Sequence, residues 1–175
     1  MVAIYGNQCG ILREEGVTML EQLFEHQAAL NRRIGFDADG LHRSFDPQIA
    51  GEWLNNYIDA ASNELEELRN CTFWKHWCAE AKRGERFRLH DLQNARVEVI
   101  DLLFFWISMA QCLGLDAHDV YDLYRQKLAV NQRRQDTNYS MAGKTEHDNK
   151  DIRVRRRGRG RSGTKHRVHS KRGRS

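Results

Sequence analysis

The chain has 175 residues, 40% of them hydrophobic, with one proline and four cysteines, enough for one good core and its appendages. Its formal charge of +4 conceals a division: 11 of 28 Lys/Arg but one of 24 Asp/Glu fall in residues 151–175, leaving 17 against 23 in the rest. An acidic body of −6 with a +10 tail is not a basic protein, and no apolar run reaches the roughly 20 residues that a membrane span requires.

Residues 1–16 contain Gly6, Gly10 and Gly16, which break any periodicity, and are read as an irregular arm. Leu20, Leu23, Phe24, Gln27, Ala28, Leu30 and Asn31 recur at helical spacing, predicting a first helix from about Thr18 to Arg33. Gly35 to Ser44 reads as a turn-rich link. Asp46 followed by Pro47 is a start signal, an N-cap with proline at the first helical position. The second helix is predicted from Pro47 to about Asn70, with Ile49, Trp53, Tyr57, Ala60, Ala61, Leu65 and Leu68 facing inward. Lys82 to His90 reads as a charged loop.

Asp91 can cap a third helix running to about Cys112, with Gly114 ending it. Val97, Ile100, Leu103, Phe104, Ile107 and Ala110 make that helix apolar on most sides, the pattern of a central bundle helix. Asp116, with Asp119 three residues on, starts a fourth helix from Ala117 to about Arg134, with Val120, Leu123, Tyr124 and Leu128 as its stripe. The expected fold is all-α, a bundle of about four to five helices over residues 17–140. Residues 141–175, rich in Arg, Gly and Ser, carry too little apolar surface to offset the entropy of ordering and are expected to be disordered.

Glu64 and Glu67, three apart, leave one face of the second helix one turn apart. Glu98 and Asp101 repeat the spacing in a segment otherwise nearly all apolar, with Arg96 as the one evident basic neighbour. E-x-x-E alone is weak, because solvated helix faces often pair acids. Four carboxylates brought together either take up protons or bind a cation, and the two pairs together are read as a Mg²⁺ site. Lys127, Asn131 and Arg134 share a face of the fourth helix and suit a polyphosphate; a solvated basic helix end is an equal reading. Gln27 and Asn31 offer the paired donor and acceptor of a pyrimidine edge, although interhelical polar contacts are the ordinary explanation. Trp74 could stack on a base, but a Trp at a helix end is ordinarily core. Cys9, Cys71, Cys78 and Cys112 form no C-x-x-C pair and read as reduced cytosolic thiols. There is no Walker-type phosphate loop.

Taken in order, H-Q-A-A-L-N at 26–31, E-L-E-E-L at 64–68, F-W-K-H-W at 73–77, E-V-I-D at 98–101 and K-x-x-x-N-x-x-R-Q-D-x-N-Y at 127–139 resemble the dimeric dUTPases of the all-α nucleoside triphosphate pyrophosphatase (MazG-like) superfamily. The phage dCTPase-dUTPases are similar in length and layout. The resemblance covers about Phe24 to Tyr139. It implies an all-helical homodimer, cytoplasmic (host cytoplasm if phage-encoded), that hydrolyses dUTP or a related deoxypyrimidine triphosphate to the monophosphate and pyrophosphate with Mg²⁺. It implies metal ligation by Glu64, Glu67, Glu98 and Asp101, with one of the first two also serving catalysis at the attacking water. It further implies phosphate binding by Lys127, Asn131 and Arg134, and base binding by Gln27, Asn31 and Trp74.

Three positions depart from the family pattern: Phe104 stands where His is usual, Leu128 where Asn follows the motif Lys, and Asn138 where Gly precedes the final Tyr. Phe104 and Leu128 are expected to pack together and to change sugar or base contacts, which leaves dCTP or a modified pyrimidine as an alternative substrate. Residues 153–175 suit salt-sensitive, sequence-independent contact with nucleic acid. The competing class of function is a catalytically degenerate nucleic-acid-binding adaptor.

Overall fold

The computed structural model describes residues 17–136 and 149–154. The predicted N-terminal arm, most of the Arg/Gly/Ser tail and Asn138 lie outside the described residues. Five α-helices carry the fold: α1 (Met19–Arg33), α2 (Ala38–Arg43), α3 (Pro47–Asn70), α4 (Leu92–Cys112) and α5 (Ala117–Asp136), and a short π-helical turn at Ala81–Glu85 interrupts the expected charged loop. Among the described residues there is no strand; one isolated antiparallel bridge joins Thr72 and Leu89.

Local chemistry accounts for the helix boundaries. Thr18 and Glu21 form a reciprocal capping box at α1. Asp46 accepts from the N–H groups of Gln48 and Ile49, with Pro47 at the first turn of α3. Asp91 accepts from Asn94 N–H at α4, and Asp116 and Asp119 bond reciprocally at α5. Such caps satisfy backbone donors that a helix start leaves open. Gly114 takes φ +68° and turns the chain out of α4, a conformation that costs an L-residue energy. The link expected to be irregular contains α2, which Asp37 caps by accepting from Gly40 N–H at 2.9 Å.

α3 and α4 pack closely along their lengths. They run antiparallel, with Tyr57 beside Phe105, Glu64 beside Glu98 and Cys71 beside Asn94. One core cluster joins Ala28, Phe36, Leu41, Ala50, Tyr57 and Cys112, with Trp53 and Phe105 against it. A second joins Phe24, Ile107, Ala110 and Ala117, so the first turn of α5 is anchored to α1 and to the C-terminal end of α4. Beyond that turn α5 leaves at 98° to α4.

Burial differs from the expected faces. Ile107 and Ala110 are buried, but Val97, Ile100 and Phe104 are 46%, 50% and 43% exposed, so α4 is not sheathed on all sides. The α5 stripe is also incomplete: Tyr124 and Leu128 are exposed, while Ala117 and Val130 are the buried residues. On α3 the inward face is Ala50, Tyr57 and Ala61, with Ile49 and Leu65 exposed. Periodicity identified the helices, but a single chain does not cover every apolar face. No single described helix is long and apolar enough to cross a membrane.

Candidate active site

Because α3 and α4 are antiparallel, the C-terminal half of one meets the N-terminal half of the other. That brings Glu64, Glu67 and Glu98 together, with a carboxylate oxygen from each lying within 4.8 Å of the other two. Glu98 is 5% exposed and accepts from Asn94 Nδ2 at 2.8 Å. Asn94 stands one turn before Glu98 on the same face, and the sequence reading did not single it out. Asp101 lies outside this tight triad but near enough to act on it. Burial, above all, holds Glu64 above the usual carboxylate range; a proton-sharing contact with Glu98 and the charges of Glu67, Asp101 and Glu98 add to it. Among the described residues no basic side chain pairs with any of the four acids, Arg96 included. Clustered hard oxygen donors, one of them buried and lacking a counter-charge, fit a divalent cation of the Mg²⁺ type.

The loop from Cys71 to Asp91 closes over this end of the helix pair. Cys71 C=O accepts from the N–H groups of His90 and Asp91, and Phe73 exchanges backbone hydrogen bonds with Phe87 and Arg88. Phe87 pays for the turn with φ +68°. Trp74 is held there by donating from Nε1 to Asn70 Oδ1 at 2.8 Å. The Arg69 guanidinium sits 3.7 Å from its ring centre, and Trp77 meets it edge-on at 6.0 Å.

Gln27 and Asn31, on α1, pack against the C-terminal half of α4, and they are buried rather than displayed, 5% and 1% exposed. Gln27 Nε2 donates to Asn31 Oδ1 and Ser108 Oγ, at 3.0 and 2.9 Å. Asn31 Nδ2 donates to Ser108 Oγ and Gln111 Oε1, and Tyr57 Oη donates to Asn31 Oδ1. Gln111 in turn donates to Phe24 C=O. Tyr57, Ser108 and Gln111 were invisible as site residues, since their partners lie on other helices. Asn31 is saturated by this network. Gln27 Oε1 is its one buried oxygen without a partner.

The residues expected to hold phosphates lie along α5. Lys127 Nζ donates to Asn149 Oδ1 at 2.6 Å, Asn131 is exposed and Arg134 partly buried on the outgoing length of α5. Phe104 and Leu128 are each exposed to a similar degree, on helices that diverge at 98°.

A cavity of about 250 Å³ opens between α1, α2 and the start of α5, lined by Glu25, Asp39, His42, Asp116 and His118 among others. Most of its polar groups are committed to structure. Asp116 caps α5, His42 Nδ1 bonds Gly114 O at 2.9 Å, and His118 pairs with Glu21 at 2.7 Å.

Residues 19–111 match the family model described as dUTPase. This chain belongs to the dUTPase family. The matched span holds the carboxylate triad, Asp101, the Gln27 network and Trp74, and it stops before α5. The chain is also similar to two curated proteins named dCTP pyrophosphatase. One, from Enterobacteria phage LZ5, is 27% identical over 69% of this chain and 82% of its own length. The other, from Enterobacteria phage T4, is 24% identical over the same shares. No solved structure matches the chain significantly. Family membership agrees with the all-helical architecture and with the resemblance drawn from the motifs.

Proposed function

We propose that the protein hydrolyses a deoxypyrimidine triphosphate to its monophosphate and pyrophosphate in a Mg²⁺-dependent reaction. The observation that carries this reading is the Glu64, Glu67 and Glu98 cluster, three carboxylates within 4.8 Å of one another in a member of the dUTPase family. Glu64, Glu67, Glu98 and Asp101 would hold the cation, with Asn94 fixing the Glu98 carboxylate. A Mg²⁺ held there would neutralise charge on the phosphates and make a water molecule easier to deprotonate. Glu64 or Glu67 takes the proton from the attacking water, whose oxygen bonds to one of the two phosphorus atoms joined by the α–β bridging oxygen as that atom's bond to the bridge breaks. Lys127, Asn131 and Arg134 are the residues assigned to the departing phosphates.

The base end of the substrate fits the other feature of α4. Ser108 lies ten positions beyond Glu98, about 15 Å along the helix at 1.5 Å per residue, a separation a nucleotide can span. Gln27, held by Ser108 and Asn31, keeps an unpaired buried acceptor at Oε1. An amino or imino N–H of a pyrimidine edge would supply the missing donor. Gln27 is therefore assigned the base contact and Asn31 the task of holding it, with Trp74 on the loop above the carboxylates. Phe104 lies on α4 between the two ends, where contact with the sugar or base would alter selectivity.

Uracil and cytosine both present a suitable donor, and the two phage relatives are named for dCTP. Pyrophosphate release from dCTP, dUTP, dTTP and a 5-substituted dUTP, with and without Mg²⁺, tests this reading. Activity on at least one of them, lost at least 100-fold in Glu98→Gln, is the expected outcome. A full-length protein that releases no pyrophosphate from any of the four would leave the nucleic-acid adaptor as the better account.

A further inference from the structure

The polar network behind Gln27 has a direction, and the backbone sets it. A carbonyl oxygen only accepts hydrogen bonds, so a side chain that meets one must present a donor. Phe24 C=O meets Gln111, which turns Nε2 toward it at 2.8 Å and Oε1 toward Asn31. Asn31 answers with Nδ2 at 2.9 Å, leaving its Oδ1 to face Gln27. Gln27 answers with Nε2 at 3.0 Å. A second carbonyl imposes the same sense. Ser108 gives its single proton to Phe104 C=O at 3.0 Å rather than to the more distant Asn31 Oδ1 at 3.4 Å. Its oxygen is then an acceptor for Gln27 Nε2 at 2.9 Å and Asn31 Nδ2 at 3.2 Å. Tyr57 Oη donates to Asn31 Oδ1 at 3.0 Å, but a hydroxyl can also accept, so it follows the polarity and does not set it.

Both N–H groups of Gln27 are used in this way, and Oε1 is the end left without a partner. Turning the amide over would set Oε1 against Asn31 Oδ1 and the Ser108 oxygen, acceptor against acceptor. Gln27, Asn31, Ser108 and Gln111 are all buried, so water does not relieve a reversed amide. We propose that Ser108 and Gln111 are positioning residues that fix base selectivity. They hold Gln27 as an acceptor only, so the site takes a pyrimidine whose facing edge carries an N–H and rejects one whose edge carries none. This rests on the deoxypyrimidine pyrophosphatase reading above and on its assignment of Gln27 to the base.

2-Pyrimidinone deoxyribonucleoside triphosphate has no N–H on its base and is no larger than dCTP, so it tests polarity without a steric clash. For the wild-type protein its kcat/KM should fall roughly 10- to 100-fold below that of the better of dCTP and dUTP. The loss should appear in KM with kcat little changed, because a base contact serves ground state and transition state alike. A ratio near one overturns the proposal and leaves the pyrophosphatase reading standing. Release of pyrophosphate from none of the nucleotides overturns that reading and the proposal with it.

Variants identify the residues. Gln111→Met or Ser108→Ala alone leaves one carbonyl in command, and the ratio should hold. Together they free the Gln27 amide to turn, and the ratio should collapse toward one, a non-additive result expected of residues in one network. Ser108→Ala combined with Gln111→Glu should keep the ratio, since Glu presents an oxygen to Asn31 whether or not it is protonated. A ratio of two substrates on one preparation does not depend on how much of the protein is folded. An unchanged ratio in the Ser108→Ala, Gln111→Met protein, or an equal collapse in its Gln111→Glu counterpart, overturns the role given to Ser108 and Gln111.

Discussion

Glu64 concentrates the chemistry of the site at the scale of one residue. Burial and three neighbouring acids raise its pKa in the folded chain, so between the unfolded and folded values the metal-free native state holds a proton that the unfolded chain has released. The stabilisation from that group is fully present below the ordinary carboxylate pKa, about 4.3. It is lost as pH rises through the raised folded value. Metal-free protein should therefore lose thermal stability across that window, and Glu64→Gln should flatten the slope. Mg²⁺ should stabilise more as pH rises, because the cation competes with the proton for the carboxylate oxygens. Melting curves against pH, with EDTA and with Mg²⁺, measure all three; an unchanged slope in the variant would remove Glu64 as its source. Sequence spacing made the two acid pairs legible. It did not reveal Asn94 as the group that fixes Glu98, nor that Asn31 is saturated while Gln27 keeps a free acceptor. Those facts depend on Tyr57, Ser108 and Gln111 arriving from other helices.

For the elements, capping chemistry was the most informative local signal. Asp46 with Pro47, Asp91 and Asp116 with Asp119 marked starts that the structure reproduces, because each satisfies open backbone donors within a few residues. Asp46→Ala, removing two of these contacts at α3, should cost about 1 kcal/mol. For a chain of this length that lowers Tm by about 2–4 °C, with pyrophosphate release at 25 °C little changed; calorimetry and the activity assay check both. α2 escaped detection because it is short and contains Gly40, leaving no apolar period to read. The apolar faces of α4 and α5 were legible as faces, but their burial was not, since periodicity says which residues want cover and nothing about what provides it.

On the scale of the whole molecule, the root of the basic tail is tied to α5. Gln126 and Arg153 exchange hydrogen bonds at 2.9 and 3.0 Å, and Lys127 reaches Asn149. Truncation after Val154 therefore preserves this clamp while deleting most of the tail cations. The truncated protein should keep its pyrophosphatase activity and lose salt-sensitive binding to a random-sequence DNA. The full chain should show affinity that falls linearly with salt on logarithmic axes. Titration by fluorescence anisotropy at several salt concentrations checks it; equal DNA affinity in both forms would refute a role for residues 155–175.

By itself the sequence determined the helical class, the helix starts, the acidic body with its basic tail, the two acid pairs and the family. These depend on composition and on contacts within a few residues. Only the tertiary structure decided that the carboxylates of α3 and α4 converge, because that requires an antiparallel pairing across a 21-residue connection, Cys71 to Asp91. It alone placed Gln27 in a buried network. It also set α5 at 98° to α4. Residue spacing carries no information about such an angle, which is fixed where Gly114 and the first turn of α5 meet the core.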